Sequence, residues 1–216
     1  MIKVHGLKIS NHSAMIRFSL MEKKIEHEWK ESLPYTMSGD KTILERSAQG
    51  AVPILECDGE FISETQAIMS YLEKKFPEVA LISSDPFEYA RTIEIIKILE
   101  LYLEYQARLF YPSVFFGGPK KEDNLEDIKE KMHRALTILE KKASFNPYMV
   151  NNFSYADIYL SLVLFTTDAV CKQIYNWDIY EKFKKLEETV KLVNSRETAK
   201  VIYKDIAEGM EKLQNS

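Results

Sequence analysis

The sequence predicts an α/β domain followed by an all-α domain. Strand-like and helix-like segments alternate up to Pro77, which ends the last of them. Residues 78–85 form a short linker. From residue 86 onward only helical periodicity occurs, without the Asp-Gly or Asn-Gly pairs that mark hairpins. We therefore predict an α/β domain over residues 1–77 and a helical domain over residues 86–216.

The first elements of the α/β domain are a strand, a helix and a second strand. Apolar side chains alternate over residues 2–7, which predicts a strand because successive side chains of a strand point to opposite faces. Residues 14–24 carry apolar side chains along one side of a helix, and residues 26–31 predict a short edge strand.

An Asp-Gly pair marks a hairpin later in this domain. Asp58-Gly59 lies between two short apolar runs, 53–57 and 60–63, and both central residues of a type I′ turn need a positive φ. A helical pattern follows over residues 64–76. The order β-α-β, then β-β-α, predicts a thioredoxin-like domain with a mixed four-stranded sheet.

The second half contains helix-start signals and no strand signals. Asp85 and Pro86 suit the N-cap and the first position of a helix. Ser154, followed by Asp157 three residues later, predicts a capping box. The five predicted helices cover residues 86–112, 122–144, 154–172, 179–194 and 196–213.

The composition argues against several classes of partner. The net charge of the 216 residues is −4 and no block of Lys or Arg occurs, which argues against nucleic acid and anionic membrane surfaces. The longest apolar runs, such as residues 160–165, are too short to span a bilayer, and the N-terminus has no signal-peptide core. We therefore expect a cytoplasmic protein. Cys57 and Cys171 form no CxxC pair and are expected to be reduced thiols, and no metal site is predicted.

Two segments of the α/β domain suit the backbone and head group of a peptide-like ligand. Val52-Pro53 precedes a strand, and a cis bond there would turn the Val52 backbone outward to pair with another extended chain. Ser63 and Gln66 predict a capping box whose helix start, with the Thr65 hydroxyl, can accept a carboxylate, while Glu64 can receive an ammonium. The structural alternatives are an ordinary trans proline and a surface cap without a ligand.

A third segment places polar side chains between the first strand and the first helix. Residues 10–13 read Ser-Asn-His-Ser, and a hydroxyl beside a helix N-terminus can stabilise an anion. The alternative for this segment is a plain polar N-cap.

These segments occur in an order that resembles the glutathione transferase family over nearly the whole chain. Residues 50–72 are similar to the family's "VPxL…DG…xSxAIxxYL" core, and residues 153–157 are similar to the capping motif of its helical domain. The resemblance implies a homodimer that binds glutathione as cosubstrate and a small hydrophobic electrophile as second substrate. It assigns the γ-glutamyl end of glutathione to Glu64 and Thr65, and the cysteinyl backbone to Val52 and Pro53.

The resemblance also indicates which side chain acts on the glutathione thiol. Tyrosine-type members carry their tyrosine near positions 6 and 7, where this chain has Gly6 and Leu7. Serine-type members carry a serine just before the first helix, which implies Ser10 as the catalytic residue and thiolate donor, with His12 nearby in the glutathione site. Residues 13–20 resemble zeta-like and bacterial members. Zeta-like members often have a cysteine where His12 stands, which argues against isomerisation of the maleylacetoacetate kind.

From loop residues alone, Asn11, His12 and Ser13 remain alternatives to Ser10 as the thiolate donor.

For the electrophile pocket we predict a stripe on the first long helix of the second half. Its members are Tyr102, Tyr105 and Leu109, at spacing i, i+3 and i+7, with Arg108 near the edge. An aromatic stripe of this kind can equally be core.

Two other functions use the same fold. Stringent-starvation-type regulators bind RNA polymerase instead of conjugating glutathione. A glutathione-dependent disulfide reductase or peroxidase would use the same glutathione site with a different electrophile.

Overall fold

The computed structural model describes residues 1–214, which group into two compact units. The first unit contains Met1–Leu81 together with the segment that begins at Ser195, and the second unit is Ile82–Asn194. The helical domain predicted over residues 86–216 therefore differs from the second unit at its C-terminal end.

A four-stranded mixed sheet forms the centre of the first unit. Its strands are β1 (Ile2–Gly6), β2 (His27–Glu31), β3 (Ile54–Cys57) and β4 (Glu60–Ser63), in the order β2-β1-β3-β4. Strand β1 is parallel to β2 and antiparallel to β3, and β3 is antiparallel to β4. The predicted sheet and the predicted edge position of β2 are confirmed. At the predicted hairpin, Asp58 and Gly59 have φ values of 54° and 88°, as a type I′ turn requires.

The helices of the first unit include two short elements that the sequence patterns did not predict. They are α2 (Tyr35–Ser38) and a 3₁₀ turn (Lys41–Glu45), and α2 ends at Gly39, whose φ is 68°. The longer helices are α1 (Asn11–Glu22), α3 (Thr65–Lys75) and α10 (Glu197–Gln214). Gly39 supplies the left-handed C-cap that ends a helix without steric cost.

Ion pairs explain why α10 belongs to the first unit. Asp205 of α10 pairs with Arg17 of α1 and with Lys8, and Arg196 pairs with Glu22 at 2.6 Å. The Arg196–Glu22 pair is bidentate, since Nε and Nη2 donate to the two carboxylate oxygens, and this geometry is more specific than a single contact. Two cationic side chains lower the pKa of Asp205 despite its partial burial.

The second unit is helical throughout its regular elements. It contains α4 (Pro86–Lys97), a π-helical segment (Ile98–Glu104), α5 (Tyr105–Arg108), α6 (Tyr111–Phe115), α7 (Leu125–Lys142), α8 (Tyr155–Tyr175), a 3₁₀ turn (Ile179–Glu181) and α9 (Lys184–Asn194). The single helix predicted over residues 86–112 is interrupted before α6. Pro112 explains the break, because it lacks an N–H and its ring clashes with the carbonyl four residues earlier.

Two predicted helix starts in this unit are confirmed. Asp85 Oδ1 accepts from the backbone N–H groups of Phe87 at 3.0 Å and Glu88 at 2.9 Å. Ser154 and Asp157 form the capping box at the start of α8, and Asp157 also accepts from the Met149 N–H at 2.8 Å. Burial raises the pKa of Asp157 to about 6, although these donors act in the opposite direction.

Within residues 1–214, no helix combines the length and the apolar character needed to cross a membrane.

Candidate functional site

Ser10 closes the loop between β1 and α1. It is the N-cap of α1, and its Oγ accepts from the Ser13 N–H at 3.3 Å. Its own N–H donates to the Leu7 carbonyl at 2.9 Å, which fixes the turn after the strand. Because the hydroxyl oxygen accepts from the helix, its proton can be donated to a group outside the loop. Ser10 is half-buried, so such a group can approach from solvent.

Two of the three other side chains of this loop that compete with Ser10 are buried. Asn11 is 6% exposed, and its Oδ1 accepts from the His12 N–H at 3.1 Å. Ser13 is fully buried, and a Cβ added at Gly6 would lie 2.8 Å from its Oγ. Ser13 therefore packs against β1, and Ser10 and His12 are the two half-buried polar residues of the loop.

Gly6 is a close-packed position at the end of β1. A Cβ there would also lie 2.6 Å from Cη2 of Trp29, closer than such contacts normally occur. Position 6 therefore leaves no room for the side chain of a catalytic tyrosine unless Trp29 moves.

A hydrogen bond that the sequence patterns did not indicate connects the loop to α3. His12 Nδ1 lies 2.7 Å from Oγ1 of Thr65, which is a buried residue in the first turn of α3. These residues are 53 positions apart, and no sequence spacing marks their contact. The pair brings together two of the three segments that sequence analysis assigned to one ligand.

The start of α3 differs from the predicted capping box. Ser63 belongs to β4, where it pairs with Ile54, and the N-cap of α3 is Glu64 without a side-chain cap. The Ser63–Gln66 capping box is therefore wrong, because α3 begins at Thr65, one residue later than predicted, and Glu64 takes the N-cap position. The first turn keeps backbone N–H groups without intrahelical partners, as every helix start does.

Glu64 has a backbone conformation that is uncommon for a residue with a side chain. Its φ is 70° and its ψ is 120°, and its side chain is exposed. Such a conformation costs free energy and persists where the surrounding structure imposes it, often at ligand sites. The exposed carboxylate thus stands directly before the free N–H groups of α3.

Val52 and Pro53 lie directly before β3. The Val52–Pro53 bond is cis, as predicted. Val52 is half-buried, and among residues 1–214 its backbone forms no hydrogen bond with another backbone group. Its N–H and C=O are therefore available to a second extended chain.

The predicted electrophile stripe lies on the surface of the second unit. Tyr102, Tyr105 and Leu109 are exposed, and Arg108 Nε donates to the buried carboxylate of Glu104 at 3.0 Å. Tyr102 lines a cavity of about 670 Å³ together with residues of α4, the π-helical segment and α7. The stripe is therefore not core.

A second apolar cavity, which sequence analysis missed, adjoins the Ser10 loop within the first unit. It has a volume of about 400 Å³. Its apolar lining comes from the loop after β1, the chain before and within α2, and the end of α10: Leu7, Ile9, Leu33, Met37 and Leu213. Helix α10 passes close to the loop, since a Cβ added at Gly209 would lie 2.8 Å from Cγ2 of Ile9.

Within residues 1–214, no group of three or more His, Cys, Asp or Glu side chains could hold a metal ion.

Known proteins resemble this chain at the level of sequence and of fold. Residues 4–80 match the family profile described as the glutathione S-transferase N-terminal domain. The chain is 31% identical over 196 residues to a glutathione S-transferase of Pseudomonas putida, and the match covers 89% of this chain and 87% of that one. A shorter match, 34% identical over 97 residues, is to a maleylacetoacetate isomerase of Pseudomonas aeruginosa and covers 42% of this chain and 44% of that one.

A solved structure shares the fold. The crystal structure of a glutathione S-transferase from Methylobacillus flagellatus with GSH bound superimposes with a TM-score of 0.74 at 18% identity. The superposition covers 94% of this chain and 98% of that one.

Proposed function

Because the chain belongs to the glutathione S-transferase family, we propose that its first unit binds glutathione as cosubstrate and activates the thiol for attack on a small apolar electrophile. The observation that carries the proposal is the juxtaposition of Ser10, His12 and Thr65 through the 2.7 Å contact between the latter two. This contact joins the loop that can stabilise a thiolate to the start of α3, which can hold the carboxylate and the ammonium of an α-amino acid.

The start of α3 would hold the γ-glutamyl end of glutathione. The free N–H groups of the first turn and the positive end of the helix dipole favour the carboxylate. The exposed Glu64 carboxylate would receive the ammonium carried on the same carbon. Thr65 Oγ1 already contacts His12, which would position both residues beside the ligand.

Val52 would hold the middle of the tripeptide. Its unpaired N–H and C=O match the C=O and N–H of the cysteinyl residue, in the manner of one added strand residue. Pro53, directly before β3, is buried, and its ring fixes its own φ.

Ser10 would stabilise the thiolate by donating its hydroxyl proton. A free thiol has a pKa of about 8.5, and lowering it by about two units requires roughly 2.7 kcal/mol of preferential stabilisation of the anion. One hydrogen bond to a charged sulfur and the N-terminus of α1 together supply this order of magnitude. Ser10 acts as a donor, so no general base is needed at this position.

The electrophile would enter the apolar cavity lined by the residues that directly precede Ser10. Leu7 and Ile9 line this cavity from the loop after β1, and Leu213 lines it from α10. The electrophile pocket predicted on the second unit stays a prediction for Tyr102, Tyr105, Arg108 and Leu109. The exposure of these residues gives equal support to a surface that binds a second copy of the chain.

A conjugation assay tests this function. We expect retention of the protein on immobilised glutathione and formation of a thioether with an activated aryl halide. An RNA polymerase-associated regulator would show neither property. A reductase or peroxidase would produce glutathione disulfide from a disulfide or peroxide substrate and no thioether.

Isomerisation is a second candidate, supported by the relative named maleylacetoacetate isomerase. An isomerase returns its glutathione at the end of each turnover, so conversion of maleylacetoacetate without glutathione consumption would favour it. Absence of that conversion, together with thioether formation from the aryl halide, would support transfer.

We expect a homodimer that uses the exposed aromatic residues of the second unit. Tyr102 and Tyr105 are large apolar residues of the kind that dominate interface energies. Sedimentation at micromolar concentration should give twice the chain mass of 25.2 kDa. Tyr105→Ala should weaken the dimer by about 1 kcal/mol, roughly fivefold in dissociation constant.

Phe165→Ala provides the matched control, because Phe165 is also exposed but lies on α8. A species of one chain mass in the wild type would contradict the dimer. Equal weakening by both variants would contradict the assignment of the interface to Tyr105.

A further inference from the structure

A tight turn presents the Ser10 hydroxyl at the start of α1. The Ser10 N–H donates to the Leu7 carbonyl at 2.9 Å, so residues 7–10 form a β-turn. Lys8 and Ile9 are the two central residues of this turn, and Ile9 directly precedes Ser10 in the chain. The groups that hold these two residues therefore set the position of the Ser10 hydroxyl.

Helix α10 contacts both central residues of the turn. Oδ1 of Asp205 pairs with Nζ of Lys8 at 3.4 Å, and the same carboxylate pairs with Arg17 of α1. Gly209 lies four residues after Asp205, on the same face of the helix, and its backbone lies close to Ile9. Helix α10 thus holds the turn at two points that are one helical turn apart.

The second of these contacts depends on the absence of a side chain at Gly209. A Cβ added there would lie 2.8 Å from Cγ2 of Ile9 and 3.4 Å from Cβ of Lys8. Cγ2 belongs to a β-branched side chain with a restricted χ1 angle, so it has little freedom to rotate away. A glycine inside a helix costs about 1 kcal/mol relative to alanine, and the close approach of α10 to the turn gives this glycine a packing reason.

We propose that Asp205 and Gly209 are positioning residues for Ser10, because they hold α10 against the turn that presents its hydroxyl. This inference rests on the proposed function, in which that hydroxyl donates to the glutathione thiolate. The strength of a hydrogen bond falls steeply as its distance and angle depart from the optimum, so a displaced turn stabilises the thiolate less. The contacts proposed for the rest of glutathione, at Val52 and Glu64, belong to other segments of the chain.

Gly209→Ala should raise the pKa of the thiol of bound glutathione by about half to one unit. This shift is a factor of about three to ten in the thiolate fraction at a pH below that pKa. The Kd of glutathione at acidic pH, where the bound thiol is protonated, should stay unchanged. Ultraviolet titration of the thiolate and calorimetry measure both without an electrophile, so the result does not depend on the apolar cavity that Gly209 also lines.

Two variants separate a displaced turn from a general weakening of α10. Ala207→Ser is the matched control, because it also adds one heavy atom to α10 but at an exposed position, and it should leave the thiol pKa unchanged. Ile9→Ala removes the Cγ2 atom that the new methyl group of Gly209→Ala would meet. In that background Gly209→Ala should have no further effect on the thiol pKa, whereas a weakened helix would act in both backgrounds.

Asp205→Asn tests the other contact without adding an atom. The amide keeps the size of the carboxylate but loses the charge that holds Lys8. Removal of a negative charge would by itself lower the pKa of a nearby thiol, so a rise in the thiol pKa identifies the displaced turn. Glu208→Gln is the control for charge, because Glu208 pairs with Lys204 of the same helix at 3.8 Å, and it should produce no rise.

The inference is overturned if Gly209→Ala and Ala207→Ser give the same thiol pKa, or if the effect of Gly209→Ala persists in full in the Ile9→Ala background. It is also overturned if Asp205→Asn raises the thiol pKa no more than Glu208→Gln does, a comparison that holds even where Gly209→Ala fails to fold. In each of these cases the wild type still binds glutathione, and the proposed function stands. A wild type that does not bind glutathione overturns the proposed function and this inference with it.

Discussion

Glu64→Gln should weaken glutathione binding by about 10- to 150-fold and leave the stability of the fold nearly unchanged. The change removes one charge-assisted hydrogen bond to the ligand ammonium, which is worth about 1.5–3 kcal/mol. The carboxylate is exposed and caps no helix N–H, so the protein itself loses no contact of comparable strength. Isothermal titration calorimetry with glutathione, alongside thermal unfolding, measures both quantities.

Glu60→Gln is the matched control for this experiment. Glu60 is also an exposed glutamate, but it lies at the start of β4, away from the first turn of α3. It should bind glutathione as the wild type does. Equal affinity of Glu64→Gln and Glu60→Gln would contradict the assignment of the γ-glutamyl end to the start of α3.

Ser10→Ala should raise the pKa of the thiol of bound glutathione by about one to two units, with little change in affinity. The hydroxyl contributes roughly 1.5–3 kcal/mol of thiolate stabilisation, while the contacts at Val52 and Glu64 remain intact. Turnover should fall at neutral pH and recover partly at high pH, where the thiol ionises without assistance. Titration of the ultraviolet absorbance of the thiolate measures the shift.

Ser10 also caps α1, so its loss affects the fold by a separate route. Removal of the Oγ that accepts from Ser13 N–H should lower the free energy of unfolding by about 1 kcal/mol. Ser10→Thr keeps both the cap and the donor and should restore the low pKa. If Ser10→Ala leaves the titration unchanged and His12→Ala shifts it, the histidine is the donor.

Local sequence signals predicted the parts of the fold that short-range geometry controls. The Asp58-Gly59 turn follows from the need for positive φ at both positions, and the capping box of Ser154 and Asp157 follows from their spacing. At Ser63 the same kind of reasoning failed. Ser63 is the last residue of β4 and pairs with Ile54, and α3 begins only at Thr65, so the cap position falls on Glu64 and not on the residue that the cap pattern favoured.

Features that depend on distant residues could not be predicted. Helix α10 joins the first unit through the Asp205 and Arg196 ion pairs, whose partners lie near the start of the chain. The His12–Thr65 contact likewise needs the folded arrangement of a loop and a helix that lie 53 positions apart. The π-helical segment over Ile98–Glu104 lies within a stretch whose pattern predicted an ordinary helix, and no local signal marks its different hydrogen bonding.

A crystal structure with bound glutathione tests the central claim most directly, since it locates every group of the tripeptide at once. We expect the sulfur within hydrogen-bonding distance of Ser10 Oγ, the cysteinyl backbone paired with Val52, and the α-amino-acid end between Glu64 and the first turn of α3. A tripeptide bound elsewhere, or a sulfur that faces His12 and not Ser10, would contradict the account.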